Sequence, residues 1–546
     1  MAAYYGIIKA LFFFKEDKNI NQKHKVVRLL DKGRRGLLRG IFSRITVIAV
    51  LLIVQLLILV ASFSWLSHYQ IHLEVLSGII VTISVLYLVN SEMDRLSVIT
   101  WMLLIIPFPI PGSLFLLYTK IDWGYNGLKA MLNKNIEDSI PYLTQNQNIL
   151  KELKQNHSTT YNLARYLSGD SDSDHFPVYQ DSKATYFPSG EAKFKALKEQ
   201  LRAAKHYIFM EYFIIDEGIM WGEILAILED KVKEGVEVRV MYDGMIEFST
   251  LSFDYTERLE KIGIHAKAFS PISPFLSTYY NYRDHRKIVV IDGEVAFTGG
   301  VNLADEYINE IERFGHWKDT AIMIEGRAVD TFTILFMQMW AVTDSKTNNN
   351  YADYLGLHQK PVISDGFIIP YADSPLDDDK VGENVYIDIL NHARDYVHIM
   401  TPYLILDSEM EHALKFAAER GVDVKLIMPG IPDKPIPYAL AKTYYATLMK
   451  AGVKIYTYTP GFVHAKVFVA DGHKAVVGTI NLDYRSLYHH FECATYLYHN
   501  SEIAKIEKDF QDTLESCQEV TFETLKNEPV TTKLLGKVVK LIAPLL

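Results

Sequence analysis

The sequence predicts an α/β protein of two pseudo-symmetric halves, each a β-sheet covered by helices, preceded by an N-terminal region of transmembrane helices. Three observations lead there. The pattern HxKxxxxD occurs as His285-Arg-Lys287-Ile-Val-Val-Ile-Asp292 and again as His464-Ala-Lys466-Val-Phe-Val-Ala-Asp471, with every element displaced by 179 residues, and the same offset relates Asn302 to Asn481. Neighbouring stretches are duplicated too: AAKHYIFMEYFIID (203–216) resembles HARDYVHIMTPYLILD (392–407), and KEGVEVRVMYDG (233–244) resembles ERGVDVKLIMPG (419–430). A common register of this kind marks a duplicated unit. Finally, residues 47–66 form an apolar run of about 20 residues, the length that spans a bilayer.

Each half reads in order as helix, apolar strand, helix, Gly-Val turn, strand and a closing hairpin, which requires sheets covered on both faces. In the hairpins, period-2 alternation places His285 with Lys287 on one face and His464 with Lys466 on one face. Asp292 and Asp471 belong to the motif set but fall on the opposite face, in Asp-Gly pairs that suit tight hairpin turns, so they read as structural. Tight hairpins bring Gly300 roughly opposite His285 and Thr479 roughly opposite His464, with Asn302 and Asn481 one step beyond.

Such a set suits phosphate chemistry. A histidine attacks phosphorus or protonates a leaving oxygen near neutral pH, a lysine supplies fixed charge, and an asparagine donates to a non-bridging oxygen. One copy alone would read equally well as a solvated surface strand; two in register clamp a single phosphodiester between the halves. Metal ligation is not expected, because no zinc-type spacing accompanies the histidines and the adjacent ammonium groups disfavour a cation. Tyr279, Tyr280, Tyr282 and Arg283 precede the first motif and either line a headgroup approach, with Arg283 reaching a phosphate, or pack in the core.

These residues resemble the phospholipase D superfamily, and within it the bacterial cardiolipin synthases. The resemblance is carried by Asn281-Tyr-Arg283-Asp-His285-Arg-Lys287, by Thr298-Gly-Gly300-Val-Asn302-Leu-Ala-Asp-Glu-Tyr307, by Gly478-Thr-Ile-Asn481-Leu-Asp483-Tyr-Arg485-Ser486 and by Phe491-Glu492. It implies that one motif histidine forms a phosphatidyl-histidine intermediate while the other protonates the departing alcohol and deprotonates the incoming one. His285 is taken as the nucleophile and His464 as its counterpart, although the near-symmetry of the motifs offers no physical basis for that order. Glu492 matches the family pattern as a histidine partner; Asp319 reads either as a second partner or as a solvated carboxylate at a strand start. Asp483, Arg485 and Ser486 read as a polar network behind the site.

The implied reaction moves a phosphatidyl group from one phosphatidylglycerol to another, giving cardiolipin and glycerol with no cofactor and no metal. Anionic membrane phospholipid is the expected partner, and oligomeric state is left open. A phospholipase D-type hydrolase, a transferase with another acceptor alcohol, and a non-catalytic membrane scaffold are the alternatives; the scaffold predicts a broken motif, and both motifs are intact.

The expected organisation is a basic cytoplasmic segment (1–44), a membrane region (45–120), a linker (121–175), a first half (176–345), a second half (346–525) and an amphipathic C-terminal helix (526–546). Residues 1–44 carry eleven Lys and Arg against Glu16, Asp17 and Asp31, which places this end in the cytoplasm. Within the membrane region 75–89 is short for a span, and 96–118 contains Pro107, Pro109 and Pro111, which no straight helix survives, so two or three crossings of the bacterial plasma membrane are expected. The polar stretches 145–157 and 168–175 read as connectors, as does 343–350 between the halves. The C-terminal helix either lies in the headgroup layer or docks on the core. A net charge of −10 argues against a nucleic-acid partner, and two cysteines, Cys493 and Cys517, imply no disulfide framework.

Overall fold

A computed structural model describes residue 57 and residues 70–545, apart from 92, 121–122, 170–174, 271–281, 344–349, 358–361, 364 and 378. The basic segment 1–44, the apolar run 47–66, Tyr279, Tyr280 and most of the connector between the halves lie outside the described residues.

The duplication in sequence is a duplication of topology. One sheet runs in the order Ser182–Phe187, Ala321–Gly326, Val295–Gly299, Lys287–Ile291, Tyr207–Tyr212, Glu237–Asp243, His265–Phe269. The other repeats that order with Phe367–Asp373, His490–Tyr498, Lys474–Gly478, Val467–Ala470, Tyr396–Met400, Asp423–Pro429 and Lys454–Tyr458, then adds Cys517–Glu519. In both, the strands after the first helix pair in parallel, while the motif hairpin joins antiparallel. Motif strands are buried along their whole length, as strands sandwiched between helical layers must be.

Both hairpins turn as their Asp-Gly pairs require. Asp292 and Gly293 have φ of 53° and 65°, Asp471 and Gly472 have 51° and 69°, so each turn is left-handed at both central residues. The Asp292 carboxylate accepts from the backbone N–H groups of Lys205, His206 and Tyr207, and Asp471 does the same for Arg394, Asp395 and Tyr396. The motif aspartates thus tie each hairpin to the start of the neighbouring strand, on the side away from the histidines.

Helix Val329–Val342 is buried on every side and packs against strands of both sheets. Its sequence is accordingly apolar all round. Residues 121–175, expected as a linker, are a correction: they form helices Trp123–Ser139, Gln147–Asn156 and Ser158–Leu167, and Leu128, Leu132, Ile149, Leu150, Leu153, Leu163 and Leu167 join the main core. Apolar residues at helical spacing inside a polar background make a half-buried helix, and the polar background alone had suggested a connector.

Before these lie helices Gln70–Val89, Arg95–Ile105 and Pro109–Lys120, packed around Leu88, Trp101, Ile105 and Leu116. The prolines break the third apolar stretch as anticipated, with Pro109 and Pro111 in a first turn that needs no internal N–H donors. Among the described residues no helix is long and apolar enough to cross a membrane. At the other end of the chain, helix Val530–Lys540 packs on helix Pro435–Lys450, with Gly536 so close that a β-carbon there would stand 2.3 Å from the Ala439 carbonyl oxygen.

Candidate active site

Two short parallel strand pairs cross between the halves and place the chemistry. Gly461–Val463 pairs with His316–Lys318, with Val463 opposite Lys318. His464 and Asp319 come next on either side, and the His464 N–H donates to the Lys318 carbonyl at 2.7 Å. By the same device Asp284 lies opposite Phe491, and the His285 N–H donates to the Phe491 carbonyl at 2.9 Å, which brings His285 beside Glu492. His285 Nδ1 is 2.9 Å from both Glu492 oxygens, and His464 Nδ1 is 2.7 Å from Asp319 Oδ2. Each histidine therefore takes its carboxylate from the opposite half. Asp319 is fully buried, which excludes the solvated alternative.

Burial dominates the electrostatics. It pushes His285 well below the usual imidazole range and His464 down to about 4, with the Lys287 and Lys466 charges adding and the carboxylates opposing. Burial alone would raise Glu492 and Asp319, but the paired histidines hold both below the usual carboxylate range. The resting state near neutrality is thus a neutral imidazole against an anionic carboxylate. A proton on Nδ1, given to the carboxylate, leaves the Nε2 lone pair available for attack.

Lys287 Nζ donates to the His285 carbonyl at 2.6 Å, and Lys466 Nζ donates to the His464 carbonyl and lies 2.9 Å from His464 Nδ1. Burial lowers Lys287 to about 8 and Lys466 to about 7. The Lys287 charge acts on both His464 and Lys466, so the two motifs share one electrostatic site.

The remaining expected residues divide. Gly300 meets Asp319: a β-carbon there would stand 2.0 Å from Asp319 Oδ1 and 2.9 Å from the His464 carbonyl oxygen. The Thr479 hydroxyl donates to Glu492 and accepts from the Cys493 N–H at 3.0 Å. Each thereby serves the carboxylate of its own half and, through it, the histidine of the other. Asn302 accepts from the Ile214 N–H at 3.1 Å and donates to the Tyr307 hydroxyl at 2.8 Å, whereas the buried Asn481 Oδ1 has no hydrogen-bond partner among the described residues. The pseudo-symmetric asparagines are not equivalent. Arg283, for which a headgroup approach and core packing were both open, is buried, bonding Asp243 at 3.3 Å and the Ser270 carbonyl at 3.0 Å, where it braces the strand that leads into His285. Of the expected polar network, Asp483 and Ser486 are buried and Arg485 is half-buried.

Three features went unread in the sequence. Lys193 is buried with its Nζ 2.8 Å from the Tyr212 hydroxyl, and burial lowers it to about 7 while the Asp319 charge opposes. Its signal was present, since Lys193 occupies the same helical row as the buried Leu197 and Leu201. Aromatic rings wall both histidines, Phe213 at 4.9 Å from the His285 ring and Tyr307 and Trp317 at 5.4 and 5.3 Å from that of His464. His490 lies 5.3 Å from the His285 ring and 3.6 Å from Glu492. The donor atoms of His285, His490 and Glu492 fall within 4.8 Å of one another, as do those of Glu383, Asp407 and Glu409. In the first trio Glu492 is already engaged by His285, and the neighbouring Lys287 ammonium disfavours a cation.

Comparison with known proteins identifies the family. The family model described as "Cardiolipin synthase, PLD-like domain" matches residues 197–340 and 386–514, one block in each half. The chain is 66% identical over 463 residues to an uncharacterised protein of Streptococcus mutans, covering 85% of this chain and 99% of that one. It is 33% identical over 455 residues to a cardiolipin synthase of Alkalihalophilus pseudofirmus, covering 82% and 88%, and 32% identical over 499 residues to one of a Geobacillus species, covering 89% and 97%. Among solved structures, the phosphatidylserine synthase of Haemophilus influenzae shares the fold with a TM-score of 0.54 at 14% identity, covering 71% of this chain and 100% of that one. With both family blocks and both motif histidines accounted for, the chain belongs to the cardiolipin synthase family of phospholipase D-like enzymes and is a phosphatidyltransferase.

Proposed function

We propose that this enzyme is a cardiolipin synthase that joins two phosphatidylglycerol molecules through a phosphatidyl-histidine on His285. The observation that carries the reading is the pair of buried histidine–carboxylate couples, each spanning the two halves, with Lys287 and Lys466 each donating to the carbonyl of its own motif histidine. His285 Nε2 attacks phosphorus and forms the P–N bond; the P–O bond to glycerol breaks, and His464 gives its proton to the departing oxygen. The glycerol hydroxyl of a second phosphatidylglycerol then loses its proton to His464, its oxygen forms the new P–O bond, and the P–N bond breaks. The phosphodiester anion raises the affinity of His464 for the proton it must carry in the first step, offsetting burial. Lys287 and Lys466 stabilise the charge on the non-bridging oxygens. Asn481, whose buried oxygen meets no donor among the described residues, accepts from a substrate hydroxyl.

The lipid substrate and the membrane setting are supported by the relatives' names and by the apolar run 47–66 behind a basic segment, which we assign to a membrane anchor with a cytoplasmic N-terminus. The test is incubation of the purified protein in mixed micelles with phosphatidylglycerol, with products resolved by mass spectrometry beside the His285→Ala and His464→Ala proteins. Cardiolipin with free glycerol, absent in both variants, supports the proposal. Phosphatidic acid in place of cardiolipin makes the enzyme a hydrolase, and turnover that survives either substitution removes that histidine from the mechanism.

A further inference from the structure

We infer that the C-terminal helix Val530–Lys540 and the turn that follows it are a second membrane contact, seated in the lipid boundary beside the catalytic cleft. The helix has two sides. Gly536 and Val539 face inward onto helix Pro435–Lys450, while Val530, Leu534, Leu535, Val538, Leu541 and Ile542 are exposed along one stripe. Val538 is 55% exposed and Leu534 62% exposed, although Gly536 and Val539 show that the same helix is anchored. Leucine and valine left outside a docked helix in this concentration mark a surface that another phase covers. Lys533 and Lys537 on the same helix are exposed and match anionic headgroups.

The occupant is identified by what the stripe continues into. The Thr100 hydroxyl donates to the Leu541 carbonyl at 2.8 Å, so the helix end is fixed to helix Arg95–Ile105. That helix, with Gln70–Val89 and Pro109–Lys120, exposes Ile71, Val75, Ile79, Ile83, Ile99 and Leu117 among other apolar side chains. An apolar surface drawn from both ends of the chain and bordered by lysines fits a bilayer better than a groove-binding peptide. It also reaches the chemistry. The Tyr484 hydroxyl donates at 3.1 Å to Asp94, the residue that caps helix Arg95–Ile105, and the nearby His489 carbonyl accepts from the Arg283 N–H at 3.3 Å, on the strand pair that sets His285 against Glu492. Lipid held on this face thus adjoins the cleft wall, and a phospholipid headgroup enters without its acyl chains crossing water.

This inference extends the proposed anchor from the N-terminal region to the opposite end of the chain, and its test involves no turnover, so it fails or stands separately from the reaction. A nitroxide placed at Val538→Cys in full-length protein carrying Cys517→Ser, with the buried Cys493 left in place, is reconstituted in nanodiscs of phosphatidylcholine and phosphatidylglycerol. Power-saturation measurements compare relaxation by oxygen, which concentrates in lipid, with relaxation by a water-soluble nickel complex. Oxygen relaxation several-fold above nickel relaxation is expected, with an unchanged thermal midpoint showing that the exposed substitution leaves the fold intact. Nickel relaxation dominating, as for a water-facing side chain, overturns the inference. Exclusion of both reagents also overturns it, since a second protein copy then covers the stripe.

Discussion

Replacing Glu492 by Gln tests the crosswise site at its most informative atom. The carboxylate stands 2.9 Å from His285 Nδ1 through both oxygens and is fully buried. As the P–N bond forms, the imidazole gains a positive charge that only this anion offsets. Two unit charges about 4 Å apart at an effective dielectric near 20 attract by about 4 kcal/mol. The amide dipole of glutamine recovers about 1 kcal/mol as an ordinary hydrogen bond, leaving a deficit of about 3 kcal/mol. That is roughly two decades in rate. Glutamine can also turn its NH2 toward Nδ1, which favours the tautomer whose Nε2 carries the proton and cannot attack. Single-turnover trapping of the phosphatidyl-enzyme in acid quench isolates this step. A slowing near a hundredfold in protein shown to be folded is expected; trapping within about fivefold of the unaltered enzyme would refute the argument that Glu492 acts on His285.

Further outcomes follow from the same geometry. Gly300→Ala drives a β-carbon onto Asp319 Oδ1 and should cost activity by about a hundredfold through displacement of the His464 couple, read as kcat on folded protein. Asp292→Ala and Asp471→Ala each strip three backbone N–H groups of their acceptor and should each cost about 2–3 kcal/mol in denaturant unfolding, while folded enzyme keeps its kcat. The acid limb of the kcat/KM profile should be displaced below the ordinary imidazole value, because attack needs neutral His285 and burial holds that ring well below it, while the proton needed on His464, which burial holds down to about 4, makes the profile decline toward neutrality. The profile should fall further as pH rises through about 7 to 8, because the lysines act protonated and lose their protons there. For stability the carboxylates act in the opposite sense: Glu492 and Asp319 have folded values below their unfolded ones, so their contribution is present above the ordinary carboxylate range and is lost as pH falls through the folded values. An acid unfolding midpoint unmoved in the Glu492→Gln protein would count against that contribution.

The legible part of this molecule was what repetition and short-range pattern encode. The 179-residue offset foretold a doubled sheet topology, and Asp-Gly at 292 and 471 foretold two left-handed hairpin turns, because only a few residue types occupy that backbone region comfortably. The carboxylates Asp319 and Glu492 were also nameable. Their crossing was not, since it depends on Gly461–Val463 finding His316–Lys318 across an interface, and no periodicity within either segment specifies a partner that distant. Arg283 was open between two readings for a related reason: an arginine two residues from a motif histidine suggests a phosphate clamp as readily as a core ion pair, and only the fold shows Asp243 beside it. Lys193 hid inside an amphipathic helix whose charged residues are ordinarily read as facing water. The helices within 121–175 were obscured by composition, because polar residues outnumber the leucines that anchor them.

The exchange of carboxylates between halves also sets when this enzyme becomes active during its own synthesis. A nascent chain that has completed helix Val329–Val342 already holds His285, Lys287 and Asp319, yet its histidine has no Glu492 and its Asp319 has no histidine. Only after the ribosome has passed strand His490–Tyr498 can both couples be closed. Truncated or stalled products therefore carry a complete first motif whose histidine still lacks its carboxylate.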